Sequence, residues 1–408
     1  MSVIGREIGS RGVVRRHTRA REPLAAGPAR VVDIINLSSS AHTLLRDRVL
    51  AMRARGVDNR ILCMDGPYVA RLRADGIPVH TVPLPRGYDP LGLGRSFLAI
   101  AAYLSRERIE LVHTHCSVPG VVGRLAARAA GVPVVIHTVH GFHFHEGMHP
   151  LPRAVFATVE RALGALTDEL LTQNRGDLDA ARRHGIGRRG HVGLIGNGIE
   201  LGRFVPEPGR RDPDPFVLCC VARFEPVKNH GQLFAAVRHL RDAGRAIELW
   251  LIGDGAGRPD LEMQVARLGI AAQVRFLGYR DDVPQCLARA DAGVLTSVQE
   301  GLPRAVLETM AAARPVVATD VPGTREAVRH GETGLLVPLG DVTALASAIG
   351  RLMDDPGLRE RLGRRGRFVV EREFDEREIV RRLAMVYQRS LPEAAIGHTG
   401  RERHEVPA

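Results

Sequence analysis

Short apolar runs alternate with amphipathic stretches along most of the chain. The runs are rich in Val, Ile and Leu, and the stretches between them show the apolar spacing of helices. This alternation is typical of β-α-β units and parallel sheets, so the sequence predicts an α/β protein. The predicted strands are Val31–Asn36, Arg60–Met64, Val79–Val82, Leu111–His115, Val132–Thr138, Glu169–Gln173, His191–Ile195, Phe216–Val221, Ile247–Ile252, Val274–Leu277, Ala292–Thr296, Pro315–Ala318 and Leu335–Val337.

Two α/β series of similar size are separated by a segment dense in proline and charge, which predicts two domains and a linker. In the first series, Ser40 is the predicted N-cap of a helix to Arg55, with Gly56 as its stop. The predicted parts are a basic flexible extension (1–29), an N-terminal domain (30–202), a linker (203–215), a C-terminal domain (216–374), a final helix packing back on the N-terminal domain (375–391) and a disordered tail (392–408).

The net charge is 57 − 46 = +11, and residues 1–30 contribute seven arginines against two glutamates. With one Trp and 4% aromatic residues there is little on which nucleobases could stack, so no nucleic acid partner is expected. No apolar run approaches the ~20 residues of a membrane helix, and no apolar signal core follows the N-terminal arginines. These features predict a cytoplasmic protein. The five cysteines form no C-x-x-C pair, which argues against disulfides and a thiolate metal site.

Lys228 is the single lysine among 57 basic residues. It follows the strand that ends at Val221, together with Arg223, and a helix is predicted to open near Asn229. Ligands of parallel sheets bind at the carboxyl ends of strands, and a compact ammonium suits a point contact with phosphate. A loop with two solvated charges is the alternative, and the survival of one lysine at this position favours a diphosphate clamp.

Two glutamates, Glu300 and Glu308, flank a turn after the predicted strand 292–296. Gly301 and Pro303 describe a loop that enters a helix. Carboxylates accept paired hydrogen bonds from vicinal hydroxyls, so the pair suits a ribose or a sugar ring. A solvated Glu308 is the alternative, but its apolar neighbours predict partial burial.

A glycine turn, Gly253-Asp254-Gly255, follows another strand and would let a backbone approach phosphate closely. It lacks the G-x-G-x-x-G spacing, and no acidic residue closes the next strand, which argues against a dinucleotide cofactor. No P-loop is present, so an ATPase has no support.

A histidine-rich loop, 138–147, also follows a strand. A metal site built from His143, His145, Glu146 and His149 is one possibility, although the spacing matches no standard zinc pattern. The favoured interpretation is a polar loop facing an interdomain cleft, in which His140, held against Gly141, contacts substrate hydroxyls.

In these residues, the chain resembles the retaining nucleotide-sugar glycosyltransferases of family four, which have the GT-B fold. The resemblance covers nearly all of 31–389. The most specific match is the glutamate pair with the segment 311–318. Further matches are Arg223 and Lys228, Gly253 to Gly255, Asn197-Gly198-Ile199, Gly323 and 333–337.

The resemblance implies two Rossmann-like parallel-sheet domains facing a cleft, with the acceptor on the N-terminal side and the nucleotide-sugar on the C-terminal side. It implies that Glu308 binds the ribose, that Glu300 binds hydroxyls of the donor sugar, and that His140 lies beside that sugar. The implied catalytic residues are His140, Glu300, Arg223 and Lys228. The implied donor-binding residues are Arg223, Lys228 and Glu300 together with Gly253, Gly255, Tyr279, Gly301, Leu302, Pro303 and Glu308. Acceptor-side candidates are Ser39, Ser40, His115, Gly141 and His143.

The segments 113–115 and 138–147 are similar to a subgroup that builds capsular, exopolysaccharide or O-antigen chains on polyprenyl diphosphate carriers. The implied activity is a retaining transfer from a UDP-hexose or UDP-N-acetylhexosamine, without cofactor or metal. Alternatives are a soluble secondary-metabolite acceptor, a GT-B sugar-nucleotide epimerase, and a non-enzymatic nucleotide or nucleic-acid binder. Basic, partly apolar helices at 95–108 and 153–166 would suit contact with the inner face of an anionic membrane, and core packing is their alternative.

Overall fold

The computed structural model describes residues 28–85, 89–144, 148–187, 192–209 and 214–391. Most of the predicted basic extension, part of the predicted linker and the tail from 392 therefore lie outside the described residues. The chain forms two compact units. Within the described ranges, the N-terminal unit holds 28–173, 177–195 and 380–391, and the C-terminal unit holds 174–176 and 196–379.

Each unit is built on one fully parallel sheet, so the predicted α/β class with two Rossmann-like units is confirmed. The N-terminal sheet has the order β3-β2-β1-β4-β5-β6-β7 and the C-terminal sheet the order β10-β9-β8-β11-β12-β13. The strands are β1 Arg30–Ile34, β2 Asp58–Cys63, β3 Val79–Thr81, β4 Leu111–His115, β5 Val134–Val139, β6 Glu169–Thr172, β7 Val192–Leu194, β8 Phe216–Val221, β9 Ile247–Ile252, β10 Val274–Gly278, β11 Ala292–Leu295, β12 Val316–Thr319 and β13 Gly334–Val337.

Helices connect these strands and cover the sheets. They are α1 Ser38–Ser40, α2 Arg46–Arg53, α3 Val69–Ala74, α4 Pro90–Arg106, α5 Ser117–Ala129, α6 Pro150–Gly164, α7 Arg175–Arg183, α8 His230–Asp242, α9 Arg258–Arg267, α10 Val283–Arg289, α11 Arg304–Ala311, α12 Pro322–Ala327, α13 Val342–Asp354, α14 Pro356–Glu373 and α15 Glu376–Ser390. Strands such as β4, β5 and β12 are buried along their whole length, because helices cover parallel sheets on both faces.

The start of the first helix differs from the prediction. Ser40 does not cap it, because its backbone is already helical (φ −67°, ψ −38°), whereas an N-cap residue needs an extended backbone. The helix begins at Ser38, passes through a π-helical turn at Ala41–Leu45 and continues as α2. Gly56, with φ +83°, follows the end of α2 as expected.

The strand orders place one switch point in each sheet. β1 lies between β2 and β4, and β8 lies between β9 and β11. The chain therefore adds strands first on one side of β1 or β8 and then on the other side. Open parallel sheets bind ligands outside the carboxyl ends of strands at such points. A ligand site is therefore expected among the residues after β1 and β4 and among those after β8 and β11.

Candidate functional site

The clearest polar contact in the C-terminal unit joins Lys228 and Glu300. Lys228 ends a 3-10 turn, Pro226–Lys228, that follows β8, and Glu300 lies in the loop after β11. The Lys228 Nζ atom lies 2.6 Å from Glu300 Oε1, and Ser297 Oγ donates to the same oxygen at 2.6 Å. The two charged side chains are only 16% and 11% exposed, so this ion pair is shielded from bulk water.

Hydrogen bonds between the two loops fix this pair. Thr296 Oγ1 donates to the carbonyl oxygens of Lys228 (3.1 Å) and Asn229 (3.0 Å), and the Val298 amide donates to the Val227 carbonyl at 2.8 Å. Asn229 turns the chain into α8 with φ +49°, a conformation that Asn tolerates. The ammonium and the carboxylate are therefore held in place by backbone contacts.

Arg223, the other cation of the predicted clamp, is paired elsewhere. Its guanidinium is half exposed and donates from Nη1 to Glu225 Oε1 at 2.9 Å. The predicted glycine turn packs directly on this segment, since the Phe224 amide donates to the Asp254 carbonyl at 3.0 Å.

The glycines of that turn allow this close packing. A Cβ atom on Gly253, which has φ +137°, would lie 2.0 Å from the Ala222 carbonyl oxygen, and one on Gly255 would lie 2.8 Å from that of Phe224. Tyr279 follows Gly278, whose carbonyl accepts from the Gly253 amide, and its side chain is about half exposed.

Glu308 lies on α11, which begins at Arg304 after Pro303 in the N-cap position. Its carboxylate is 17% exposed and lies 3.6 Å from the Nε of Arg304, one helical turn earlier. Arg304 also donates from Nη1 to the Gly198 carbonyl at 3.0 Å. Glu308 is therefore a mostly buried carboxylate with a guanidinium partner, as its apolar neighbours predicted.

The turn from Gly301 to Pro303 is fixed by two asparagines. Asn174 Nδ2 donates to the Gly301 carbonyl at 3.0 Å, and Asn197 Nδ2 donates to the Leu302 carbonyl at 3.2 Å. Gly323 packs so closely that its Cβ would lie 2.1 Å from the Gly301 oxygen. The sequence singled out Gly323 but not Asn174, which has no local signal because 127 residues separate it from its partner.

In the N-terminal unit, buried histidines collect at the carboxyl ends of β1, β4 and β5. His115 Nε2 lies 2.8 Å from Asp33 Oδ1, and His115 Nδ1 lies 3.2 Å from His140 Nε2. His113 contacts Tyr387 Oη through Nδ1 (2.9 Å) and Thr138 Oγ1 through Nε2 (2.7 Å). The structure thus brings together the predicted residues His115 and His140, and it adds Asp33 and Tyr387.

The other acceptor-side candidates surround this cluster less directly. Gly141 follows His140 with φ +105°, and the ring of His143 packs edge-on against Phe156 with centroids 4.7 Å apart. Ser39 and Ser40 are partly buried in α1, just after β1.

Burial keeps the histidines neutral. It lowers the pKa of His113, His137 and His140 well below the ordinary value, and it lowers that of His115 to about 3. Burial also raises the pKa of Asp33, against the opposing effects of His113, Asn59 and the Arg48 guanidinium.

Asp33, His113 and His115 are the one group, within the described ranges, whose ligand atoms lie close enough together to hold a metal ion. Both ring nitrogens of each histidine already have hydrogen-bond partners. In this structure the cluster is closed by these hydrogen bonds. Of the predicted alternative ligand set, His145 and Glu146 lie outside the described residues.

Two Rossmann-like units, each with polar residues beyond its switch-point strand, are the architecture of the GT-B fold. Residues 41–198 match the model of a glycosyl transferase 4-like domain, and residues 215–355 match that of glycosyl transferases group 1. None of the described helices is both long and apolar enough to span a membrane.

Known proteins agree with these matches. The putative glycosyltransferase EpsD of Bacillus subtilis is 34% identical over 76% of this chain and 83% of its own length. The Escherichia coli UDP-Gal:α-D-GlcNAc-diphosphoundecaprenol α-1,3-galactosyltransferase is 27% identical over 73% and 80%. The crystal structure of Anabaena HepE with UDP-glucose superimposes with a TM-score of 0.74, 22% identity and coverage of 88% and 99%.

The chain belongs to the family 4 glycosyltransferases, which use nucleotide-sugar donors. The epimerase and the non-enzymatic binder are thereby set aside.

Proposed function

We propose that the protein is a retaining glycosyltransferase that moves a hexose or N-acetylhexosamine from a UDP-sugar to a hydroxyl group of a polyprenyl-diphosphate-linked saccharide. The observation that carries the donor half is the shielded Lys228–Glu300 pair beside the switch-point strand β8. Support for the rest comes from the names of relatives, one of which acts on a diphosphoundecaprenol substrate and another of which was solved with UDP-glucose. Proton NMR of the product would test the proposal, which predicts the same anomeric configuration as in the donor.

In the proposed reaction, the bond between the anomeric carbon and the diphosphate oxygen breaks as the acceptor oxygen bonds to the same face of the sugar. The acceptor proton passes to the departing diphosphate. Lys228 and Arg223 neutralise the charge that develops on this leaving group, which lowers the barrier electrostatically. Glu300 then accepts hydrogen bonds from the sugar hydroxyls, Glu308 accepts from the ribose, and His140 contacts the transferred sugar.

The rest of the donor site is assigned to backbone and ring contacts. The glycine turn at Gly253 and Gly255 and the loop from Gly301 through Leu302 to Pro303 approach the phosphates and the sugar, and Tyr279 lines the donor site. The close packing of Gly253 and Gly255 on the Arg223 segment supports this assignment, because it places a compact turn beside one of the two cations.

Because two side-chain cations supply the charge, we expect transfer to need no divalent metal. The initial rate with UDP-sugar should be the same in EDTA as in Mg²⁺ or Mn²⁺. Product formation that stops in EDTA and returns only with added metal would contradict this assignment.

A lipid-linked acceptor predicts that the protein contacts a membrane surface. The N-terminal unit has a face that suits such contact. Helix α5 packs against both α4 and α6. These three helices carry six of the exposed large apolar side chains: Leu91, Leu98, Leu125, Leu151, Val155 and Val159. Within the part of the chain that the structure describes, Arg95, Arg153 and Arg161 on the same helices have no ion pair. We propose that this apolar and basic face, the α4–α6 face, binds an anionic bilayer.

Vesicle sedimentation tests the α4–α6 face. The protein should sediment at low salt with vesicles that contain an anionic lipid and remain in the supernatant with neutral vesicles. Leu151→Ser combined with Val155→Ser should reduce binding at least about tenfold, because both substitutions remove exposed apolar area that the bilayer would cover. Met263→Ser, which changes an exposed apolar residue of the C-terminal unit, should not.

Two results would contradict the membrane assignment. If the protein stayed in the supernatant with anionic vesicles, a soluble acceptor would replace the lipid-linked one. If light scattering instead showed a dimer that the Leu151 and Val155 variants dissociate, the face would be an interface between two copies.

A further inference from the structure

We infer that Asp33 and His115 fix the tautomer of His140, so that His140 presents an unprotonated Nδ1 as a hydrogen-bond acceptor to a substrate hydroxyl. The functional part of this inference rests on the proposed function, which places His140 against the transferred sugar. Asp33 and His115 act through His140 and are therefore positioning residues. Neither the family motifs nor the sequence pattern singled out Asp33.

The three side chains form a continuous line of hydrogen bonds. It runs from Asp33 Oδ1 to His115 Nε2 over 2.8 Å and from His115 Nδ1 to His140 Nε2 over 3.2 Å. Asp33 and His115 are 3% and 2% exposed, whereas His140 at the end of the line is only partly buried. The line therefore leads from a carboxylate inside the unit to the less buried His140.

Each link has one donor and one acceptor, so the charge on Asp33 decides the direction of the whole line. An ionised carboxylate only accepts, which requires a proton on His115 Nε2. A neutral imidazole carries one proton, so His115 Nδ1 must then accept from His140 Nε2–H. That leaves His140 Nδ1 without a proton. A protonated Asp33 would reverse every link and turn Nδ1 into a donor.

Burial raises the pKa of Asp33, and three neighbouring groups, His113, Asn59 and Arg48, oppose that effect and stabilise the ionised carboxylate. Arg48 is 5% exposed, and its guanidinium lowers the pKa of Asp33. Asn59 also stabilises the anion by a hydrogen bond. The titratable and charged groups that face the line are His113, His137, Arg48 and Tyr387. Of these, the histidines are held neutral by burial, and His113 is already engaged by Tyr387 and Thr138.

The resulting geometry suits sugar chemistry. A neutral ring with an unprotonated Nδ1 accepts a hydrogen bond from a hydroxyl. Because Asp33 and Arg48 lie inside the unit, the tautomer is set before substrate arrives, which is the preorganisation that lowers a barrier.

The test is the protonation state of the ring nitrogens in the full-length protein, read from long-range ¹H–¹⁵N spectra of histidine-labelled samples. The signals of His140 are identified by their loss in His140→Gln. In the wild type we expect a proton on Nε2 and none on Nδ1. In Asp33→Asn, whose amide can donate to His115, the two should exchange and kcat should fall at least about tenfold, with UDP affinity unchanged.

Asp168→Asn is the matched control. Asp168 is a buried carboxylate of the same unit that accepts from Arg128 and from the Val135 amide, away from the histidine line. It should leave the His140 tautomer as in the wild type.

A wild-type His140 protonated on Nδ1 would overturn the inference without any variant, even if Asp33→Asn failed to fold. The spectra can be recorded without turnover, so the tautomer of His140 can be determined even if the proposed reaction does not occur. Exchange of the tautomer without loss of kcat would overturn the role of His140 in transfer.

Discussion

Lowering the pH from 6.5 to 4.5 is expected to unfold the N-terminal unit before the C-terminal unit. In the N-terminal unit, burial lowers the pKa of His113, His115, His137 and His140, the second of these to about 3. The unfolded chain takes up these protons below about pH 6.5, and the folded unit does not. The free energy of unfolding must therefore fall as the pH falls through this window.

The expected size is large. Each proton bound only by the unfolded chain changes the free energy of unfolding by ~1.4 kcal/mol per pH unit, so four histidines approach ~5 kcal/mol per pH unit. Whole domains are stable by about 5–15 kcal/mol. Asp33 opposes this trend, since its raised pKa lets the folded unit bind a proton before the unfolded chain does. Asp33 accounts for one proton, whereas the four buried histidines account for four, so the net effect of acid is still destabilising. In the C-terminal unit, only His230 among the described histidines has a lowered pKa, of about 4.

The two units can be followed separately because the one Trp of the chain, Trp250, lies on β9 in the C-terminal unit. Circular dichroism should report the first acid transition while Trp250 fluorescence remains native. His137→Asn should reduce the pH slope of stability by about one proton, and exposed His239→Asn should leave it unchanged. Coincident transitions, or a loss of Trp250 fluorescence first, would show that the buried histidines do not control acid stability.

Replacing Lys228 with alanine should lower kcat by about 10²–10³-fold, the usual cost of removing one preorganised electrostatic contact to a leaving group. The substitution also leaves Glu300, which is 11% exposed, without its ammonium partner. Lys228→Arg should restore only part of the rate, since a planar guanidinium cannot replace a compact ammonium in this contact.

Two further variants sharpen this prediction. If Lys228 and Glu300 act as one unit, the double variant Lys228→Ala with Glu300→Ala should lose little more than the worse single variant. Arg238→Ala, which removes an exposed cation of α8, should retain the wild-type kcat. A Lys228→Ala enzyme with undiminished kcat would remove the ammonium from the proposed reaction.

The strands could be predicted because helices bury them on both faces, so that runs such as 216–221 and 247–252 are almost uniformly apolar. The start of the first helix could not, because three consecutive serines fit a cap and a helical turn equally well. Lys228, Glu300 and Glu308 were found because each follows a strand end in a chemically distinctive setting.

The sequence could not predict which residues contact these side chains. Ser297 is an ordinary loop serine until the loop folds its hydroxyl onto Glu300. Tyr387 lies 274 residues from His113, and only the packing of the last helix within the N-terminal unit joins them. In the sequence, Asp33 is one polar residue within an apolar strand. Its contact with His115 exists only because β1 and β4 are neighbours in the sheet.

A thermal unfolding series with UDP, GDP, ADP, NAD and UDP-sugars, followed by Trp250 fluorescence, tests the proposed donor site most directly. A ligand at a hundred times its Kd stabilises the unit that binds it by ~2.7 kcal/mol. We expect UDP and UDP-sugars to stabilise the wild type and the surface variant Glu332→Gln, and we expect Lys228→Ala and Glu308→Gln to lose this effect. Stabilisation by NAD alone, or by UDP equally in all four proteins, would contradict a donor site built on Lys228, Glu300 and Glu308.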